Sequence, residues 1–179
     1  MRTIFVAVSF LVFTLPVAAQ TEGDLILGQT APDFTLPYAT KDSVARKPLH
    51  LSELFGKEII VLAFYPADWS PGCTKEVCTI RDNFDALEGL NAQVLAISGD
   101  YVWSHHEWAK YHNLSFRLLS DHTHDVARTY DSYNDKSHYN KRTVFVIDKR
   151  GKIAYIDLAY SVADMGSFDK LKKALGDLK

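Results

Sequence analysis

The sequence predicts an α/β fold in which a mixed central sheet is flanked by helices and preceded by an N-terminal extension. Three observations predict it. The runs "IIVLAFY" (59–65), "QVLAIS" (93–98) and "TVFVID" (143–148) are continuous, apolar and rich in β-branched or aromatic residues, the pattern of strands buried on both faces. Segments of helical period lie between them. A turn, Lys149-Arg150-Gly151-Lys152, leads from the third run into "IAYID", so the last two strands form a hairpin. Alternation first and a hairpin last implies a sheet with both parallel and antiparallel neighbours.

The elements follow in order. Met1-Arg2 is a short positive start, 3–17 is apolar and uncharged with Pro16 near its end, and Val17-Ala18-Ala19 precedes Gln20. This reads as a signal peptide over 1–19, cut before Gln20. An uncleaved anchor is the alternative, but the run is shorter than the about 20 residues of a membrane span. No cysteine follows it, so no lipid anchor is expected at that point. The mature chain, 20–179, is expected to be one domain, periplasmic or secreted, where disulfides can persist. Turn formers from Gly28 to Pro48 suggest an extension wrapped on the core, with Phe34 and Leu36 as anchors. "LSELFG" (51–56) reads as a short helix ended by Gly56. Cys73, Val77, Ile80, Phe84 and Leu87 form one helical stripe. Ser104-His105-His106-Glu107 fits a capping box opening a helix that runs through Tyr111. "FRLLS" (116–120) is a weaker strand, 124–130 a short helix, and Met165, Phe168, Leu171, Leu175 and Leu178 mark a C-terminal amphipathic helix. This order is compatible with a thioredoxin-like fold.

The chain has 179 residues, 47% hydrophobic and 23% charged, which suits a single full-sized core. A net charge of −2 provides no field that would attract nucleic acid or an acidic membrane.

Both cysteines lie in "FYPADWSPGCTKEVC", 64–78. Cys73 follows a buried strand and the residues Pro66, Pro71 and Gly72, at the expected start of a helix, where chemistry collects in α/β sheets. A helix start stabilises negative charge, which favours the nucleophilic thiolate. Cys78, five positions on, falls roughly 140° around the helix and about 8.6 Å away between Cα atoms. A disulfide wants about 4.4–6.8 Å. The thiols therefore cannot pair while the helix is intact, whereas a first turn unwinds at little cost. So short a loop also gains little from cross-linking. A constitutive staple and two inert thiols remain the alternatives; the spacing favours a dithiol with a reduced, folded state and an oxidised, locally opened one.

These residues carry a resemblance. "PADWSPGC" resembles the Pro-x-x-x-Thr/Ser-x-x-Cys motif of peroxiredoxins. "CTKEVC" followed by "RD" is similar to the bacterioferritin-comigratory, or PrxQ-like, subgroup of the AhpC/TSA superfamily. The resemblance continues through "GQTAPDFTL", "LSELFGK", "LLSD" and "RTVFVIDKRGKI". It implies a thioredoxin-like fold and a thiol peroxidase. Cys73 would be the peroxidatic nucleophile and Cys78 the resolving cysteine. Ser70 would bond the thiolate and the peroxide, and Pro66 would shape the pocket. Arg142 would be the active-site arginine, oriented by Glu76. The implied cycle takes Cys73 to a sulfenic acid and then to a Cys73–Cys78 disulfide, recycled by a thioredoxin-like reductant. Hydrogen peroxide and organic hydroperoxides are the implied substrates. No cofactor or metal is implied, and a monomer is expected. Trp69 departs from the small or polar residue of the subgroup and is expected to make the pocket bulkier.

Other residues read more plainly. Arg81 is expected to pair with Asp85, and His105 and His106 to lie on the surface. Trp103, Trp108 and Tyr111 are expected to be packing residues, and Tyr65 to be either packing or pocket lining. His122 and His124 supply too few ligands for a metal. Other functions on this fold are a copper-handling protein, which uses Cys-x-x-x-Cys, a reductase, which needs Cys-x-x-Cys, and a non-catalytic domain with a structural disulfide.

Overall fold

A computed structural model describes residues 25–83, 89, 91–161 and 163–178. The signal-peptide expectation, the helical positions Phe84 and Leu87, and the Asp85 partner expected for Arg81 fall outside the described residues.

Short strands β1 (Thr35–Leu36), β2 (Tyr38–Ala39) and β3 (Leu49–His50) form the extension, and a 3-10 turn, Leu51–Leu54, leads into β4 (Ile59–Phe64). Then come α1 (Pro71–Asp82), β5 (Ala92–Ser98), α2 (Val102–Tyr111), β6 (Arg117–Ser120) and α3 (Asp125–Thr129). A small ribbon, β7 (Tyr133–Asn134) and β8 (Tyr139–Asn140), precedes the hairpin of β9 (Thr143–Ile147) and β10 (Ile153–Asp157). The helix α4 (Met165–Gly176) follows.

Six strands make the central sheet in the order β10-β9-β4-β5-β6-β2. The strands β4, β5 and β6 are parallel, while β9, β10 and β2 run antiparallel to their neighbours. The mixed, thioredoxin-like sheet predicted from the sequence is therefore present. The β4–α1–β5 and β5–α2–β6 connections progress in one direction across the sheet, so right-handed crossovers put both helices on one face. Odd-numbered β4 residues (Ile59, Val61, Ala63) pack there with Val77 and Ile80 of α1, Trp108 of α2 and Phe168, Leu171 and Leu175 of α4. Even-numbered residues (Ile60, Leu62, Phe64) pack on the other face against Phe34 and Leu36 of the extension and Val126, Ala127 and Tyr130 around α3. With both faces covered, β4 and β9 are buried at every position, as their unbroken apolar runs require.

The hairpin turn needs its glycine. Gly151 has φ 76, and a Cβ there would meet the Phe55 ring at 2.8 Å. Asp148 braces the turn by accepting from the backbone N–H groups of Arg150 and Lys152.

Three expectations are corrected around α2. The helix starts at Val102, two residues before the expected capping box, and Tyr101 provides no side-chain cap. The turn before it is fixed instead by tertiary bonds: Ser120 Oγ donates to the Asp100 carbonyl, and Ser98 Oγ to the Asp100 carboxylate. Ser104 and His105 are thereby placed one turn into the helix, on its inner face. His105 is completely buried rather than superficial, and His106 is half-buried with Nδ1 on the Thr40 carbonyl. Of the three aromatic residues expected to pack, Trp108 is buried, but Trp103 is 70% and Tyr111 76% exposed.

Candidate active site

Sheet register brings the two halves of the site together. β4 and β9 are antiparallel with Phe64 opposite Thr143, so the carboxyl end of one meets the amino end of the other. The turn that follows Phe64 and the residue that precedes Thr143, Arg142, thus share one edge of the sheet. The Tyr160 N–H donates to the Arg142 carbonyl and fixes its backbone. α1 starts at that edge.

Local chemistry sets the start of α1. Ser70 has extended backbone (φ −75, ψ 142) and Pro71 occupies the first helical turn, where a missing N–H costs nothing. The Ser70 hydroxyl accepts from the Cys73 N–H at 3.3 Å and donates to the Ala67 carbonyl at 3.3 Å. The hydroxyl therefore caps the helix, on the backbone of Cys73 rather than on its sulfur. Pro66 is half-buried on the same turn, directly after β4.

Cys73 is buried on the first turn of α1, and Arg142 Nη2 donates to its Sγ at 3.3 Å. The other guanidinium nitrogen, Nη1, donates to Glu76 Oε2. Glu76 lies three residues after Cys73 and so on the same helix face, which lets one planar guanidinium bridge carboxylate and sulfur. Gly72 leaves room for it, since a Cβ there would meet Arg142 Nη2 at 2.8 Å. No sequence signal marked that role, because the space is defined by a residue 70 positions away.

Glu76 is 2% exposed and its Oε1 has no hydrogen-bond partner among the described residues. Burial pushes its carboxyl up to about 7, against the pull of Arg142. Burial also works against the Arg142 charge, but Glu76 and Cys73 hold the guanidinium above its ordinary range, so it stays a cation. The stability consequence has a definite sign. The folded state keeps the Glu76 proton up to about pH 7, while an unfolded chain releases it near 4.5. The contribution is therefore fully present below pH 4.5 and lost as pH rises to 7. Relative to Glu76→Gln, the wild type is expected to lose stability on the order of 3 kcal/mol across that interval. Urea denaturation of both proteins at pH 4.5 and pH 7.5 measures it; parallel pH profiles would contradict it.

Cys78 lies five residues along the intact helix, and both cysteines are free thiols. Its Sγ is half-buried, 3.9 Å from His112 Nδ1 at the end of α2. The structure thus joins Cys73, Glu76, Arg142 and the Ser70 cap into one cluster and leaves Cys78 separate from it, facing α2.

Trp69 does not thicken the Cys73 pocket as expected. It is 52% exposed, takes a left-handed φ of 60, and donates from Nε1 to Ser104 Oγ at 3.2 Å. Its ring turns toward Tyr111 (5.9 Å) and His112 (6.4 Å). The bend that puts it there is tied down by Asp68, which sequence reading missed. Asp68 accepts from Tyr65 Oη (2.8 Å) and Ser104 Oγ (2.7 Å), contacts His105 Nδ1 (2.9 Å), and donates its N–H to Asp100 (2.9 Å). His105 Nε2 reaches the Leu119 carbonyl, so both ring nitrogens face oxygen acceptors. Tyr65 serves packing and this network together: it stacks on Trp108, and burial followed by the Asp68 charge raises its phenol well above the ordinary range. Arg81, for which Asp85 was the expected partner, pairs with Asp82 and donates to the His112 carbonyl. His122 and His124 bond Tyr101 and Asn140 in a polar turn.

A buried cysteine paired with an arginine at the edge of a thioredoxin-like sheet is the arrangement of a thiol-redox protein. The comparisons narrow this: the model of the AhpC/TSA family matches residues 27–156, and the chain belongs to that family. It is 40% identical over 136 residues to a putative peroxiredoxin bcp of Coxiella burnetii, covering 73% of this chain and 86% of that one. It is 39% identical to the chloroplastic peroxiredoxin Q of Triticum aestivum over 75% of this chain, but spans only 59% of that longer protein. Among solved structures, peroxidoxin BcpB of Mycobacterium tuberculosis superposes with a TM-score of 0.76 at 31% identity, over 87% of this chain and 99% of that one. These relatives support a thiol peroxidase activity.

Proposed function

We propose that the protein is a thiol-dependent peroxidase of the two-cysteine type, with Cys73 as the peroxidatic and Cys78 as the resolving residue. The observation that carries the reading is the Arg142 guanidinium, 3.3 Å from the Cys73 sulfur and aimed by buried Glu76. Cleaving an O–O bond needs a thiolate, an in-line peroxide, and positive charge where the leaving oxyanion develops. The Cys73 thiolate attacks the distal peroxide oxygen, the O–O bond breaks, and the departing alkoxide or hydroxide takes a proton to leave as ROH. The buried position keeps bulk water away and strengthens the Arg142 interaction. Cys78 then condenses with the sulfenic acid, which requires the first turn of α1 to open, and a thioredoxin-like dithiol reduces the disulfide. Hydrogen peroxide and small organic hydroperoxides are the substrates in this reading. Export after removal of residues 1–19 belongs to the proposal, resting on the charge and apolar pattern of that segment, and so does a monomer, resting on a sequence that shows no separate apolar interface stripe.

The test is chemical trapping. Cys78→Ser, treated with one equivalent of hydrogen peroxide and a sulfenic-acid trap, is expected to carry the adduct on Cys73 alone. The wild type is expected to give a Cys73–Cys78 disulfide within one chain by peptide mapping. No adduct on Cys73, or a disulfide only between chains, would defeat the reading.

A further inference from the structure

Resting on that reading, we infer that His112 is the general base that activates the resolving thiol, Cys78. No other described nitrogen base is seen to contact Cys78, and the contact is a 3.9 Å approach of His112 Nδ1 to Sγ, within the reach of a sulfur bond that tightens as the step proceeds. The ring is held as a base should be. Its residue ends α2, where its N–H donates to the Trp108 carbonyl and its own carbonyl accepts from Arg81 Nη1 at 2.7 Å. Rings pack on several sides: Trp108 edge-on at 5.9 Å, Tyr111 edge-on at 4.9 Å and Trp69 tilted at 6.4 Å. The titratable or charged groups facing it are Cys78 and Arg81 from α1 and Tyr111 from α2. Burial and then the Arg81 charge lower the imidazole below its ordinary 6.5, so the ring is neutral at pH 7 and has a lone pair to offer.

This arrangement also gives Trp69 a purpose. It precedes the α1 cap, donates to Ser104 of α2, and sets its ring tilted at 6.4 Å from His112. The base itself sits at the end of α2, outside the first turn of α1 that has to open.

The step balances without any added reactant. The Cys78 S–H proton passes to His112 Nδ1, and the sulfur's electron pair forms the S–S bond to the Cys73 sulfenic sulfur. The S–O bond breaks, and the hydroxide released takes up a proton as water. Cys78 is oxidised and the sulfenic sulfur of Cys73 is reduced.

Rapid mixing of the reduced full chain with hydrogen peroxide, at a series of pH values, separates Cys73 oxidation from disulfide formation. The disulfide phase of the wild type is expected to rise with pH through an inflection below 6.5 and then level off. In His112→Gln the plateau is expected to disappear, with the rate at pH 7 lower by about 10²-fold and still climbing with pH above it. In His112→Ala, added imidazole is expected to restore the disulfide phase in proportion to its concentration, which a merely structural ring would not allow. A His112→Gln profile matching the wild type, or a wild-type disulfide phase that climbs with pH and shows no plateau, overturns the assignment. The second of these needs no variant to fold. Absence of the first phase from the wild type would instead defeat the peroxidase reading itself, so the two failures are distinguishable.

Discussion

Arg142→Met is expected to lower the second-order rate of peroxide reduction by about 10²–10³-fold, the usual loss when one preorganised donor to a developing oxyanion is removed. Methionine keeps most of the volume but offers neither of the two donors. One donor reaches the Cys73 sulfur and the other the Glu76 carboxylate. Both halves of the loss matter. The thiolate and the leaving oxygen lose their counter-charge, and Glu76, buried at 2% exposure, is left with no cation beside it. Arg142→Lys is expected to recover only part of the rate, because a point charge cannot bridge carboxylate and sulfur in one plane. Combining Arg142→Met with Glu76→Gln is expected to cost less than the sum of the two single changes, since the second removes the orphaned acid left by the first. Steady-state kcat/KM for hydrogen peroxide measures all four; a rate within threefold of wild type for Arg142→Met would remove the guanidinium from the chemistry.

Glu76 and Cys73 are three residues apart on one helix, so their shared face follows from local geometry alone. Arg142 could be singled out because it immediately precedes an apolar run, but its position beside Cys73 depends on the pairing of Phe64 with Thr143, which no local pattern reveals. The strands were readable because burial on both faces writes continuous apolar runs. The start of α2 departs from the expected capping box for the opposite reason. Ser104 has the chemistry of a cap, but a carboxylate 36 positions earlier in the chain claims its hydroxyl. Histidine on a polar stretch suggests a surface residue, but His105 is buried by a partner, Asp68, that lies 37 residues away. Trp69 was opaque because its direction is set by a left-handed backbone that the sequence gives no reason to expect of a bulky residue.

Asp68→Ala is the second large effect, and it is one of stability. The Asp68 and His105 side chains are both fully inaccessible to solvent. Removing the carboxylate leaves Tyr65 Oη, Ser104 Oγ and His105 Nδ1 without their acceptor in the interior. Breaking a buried pair in this way costs roughly 3–5 kcal/mol. Asp68→Asn, which keeps one acceptor oxygen and the shape, is expected to cost less. The loss reaches function through position: Asp68 fixes the bend carrying Trp69 and Ser70, so the cap of α1 loosens along with it. Urea denaturation followed by far-ultraviolet circular dichroism measures the first effect. A change below about 1 kcal/mol for Asp68→Ala would mean that water or another group replaces the carboxylate at little cost.

Whether Arg142 and the start of α1 make Cys73 a peroxide-reactive nucleophile is read from the second-order rate of its oxidation by hydrogen peroxide. Stopped-flow mixing of the reduced protein, with Cys73→Ser as the blank, supplies it. A Cys73-dependent phase faster than the oxidation of free cysteine at the same pH by orders of magnitude is expected. A rate no faster than free cysteine, or a fast phase that survives in Cys73→Ser, would contradict it.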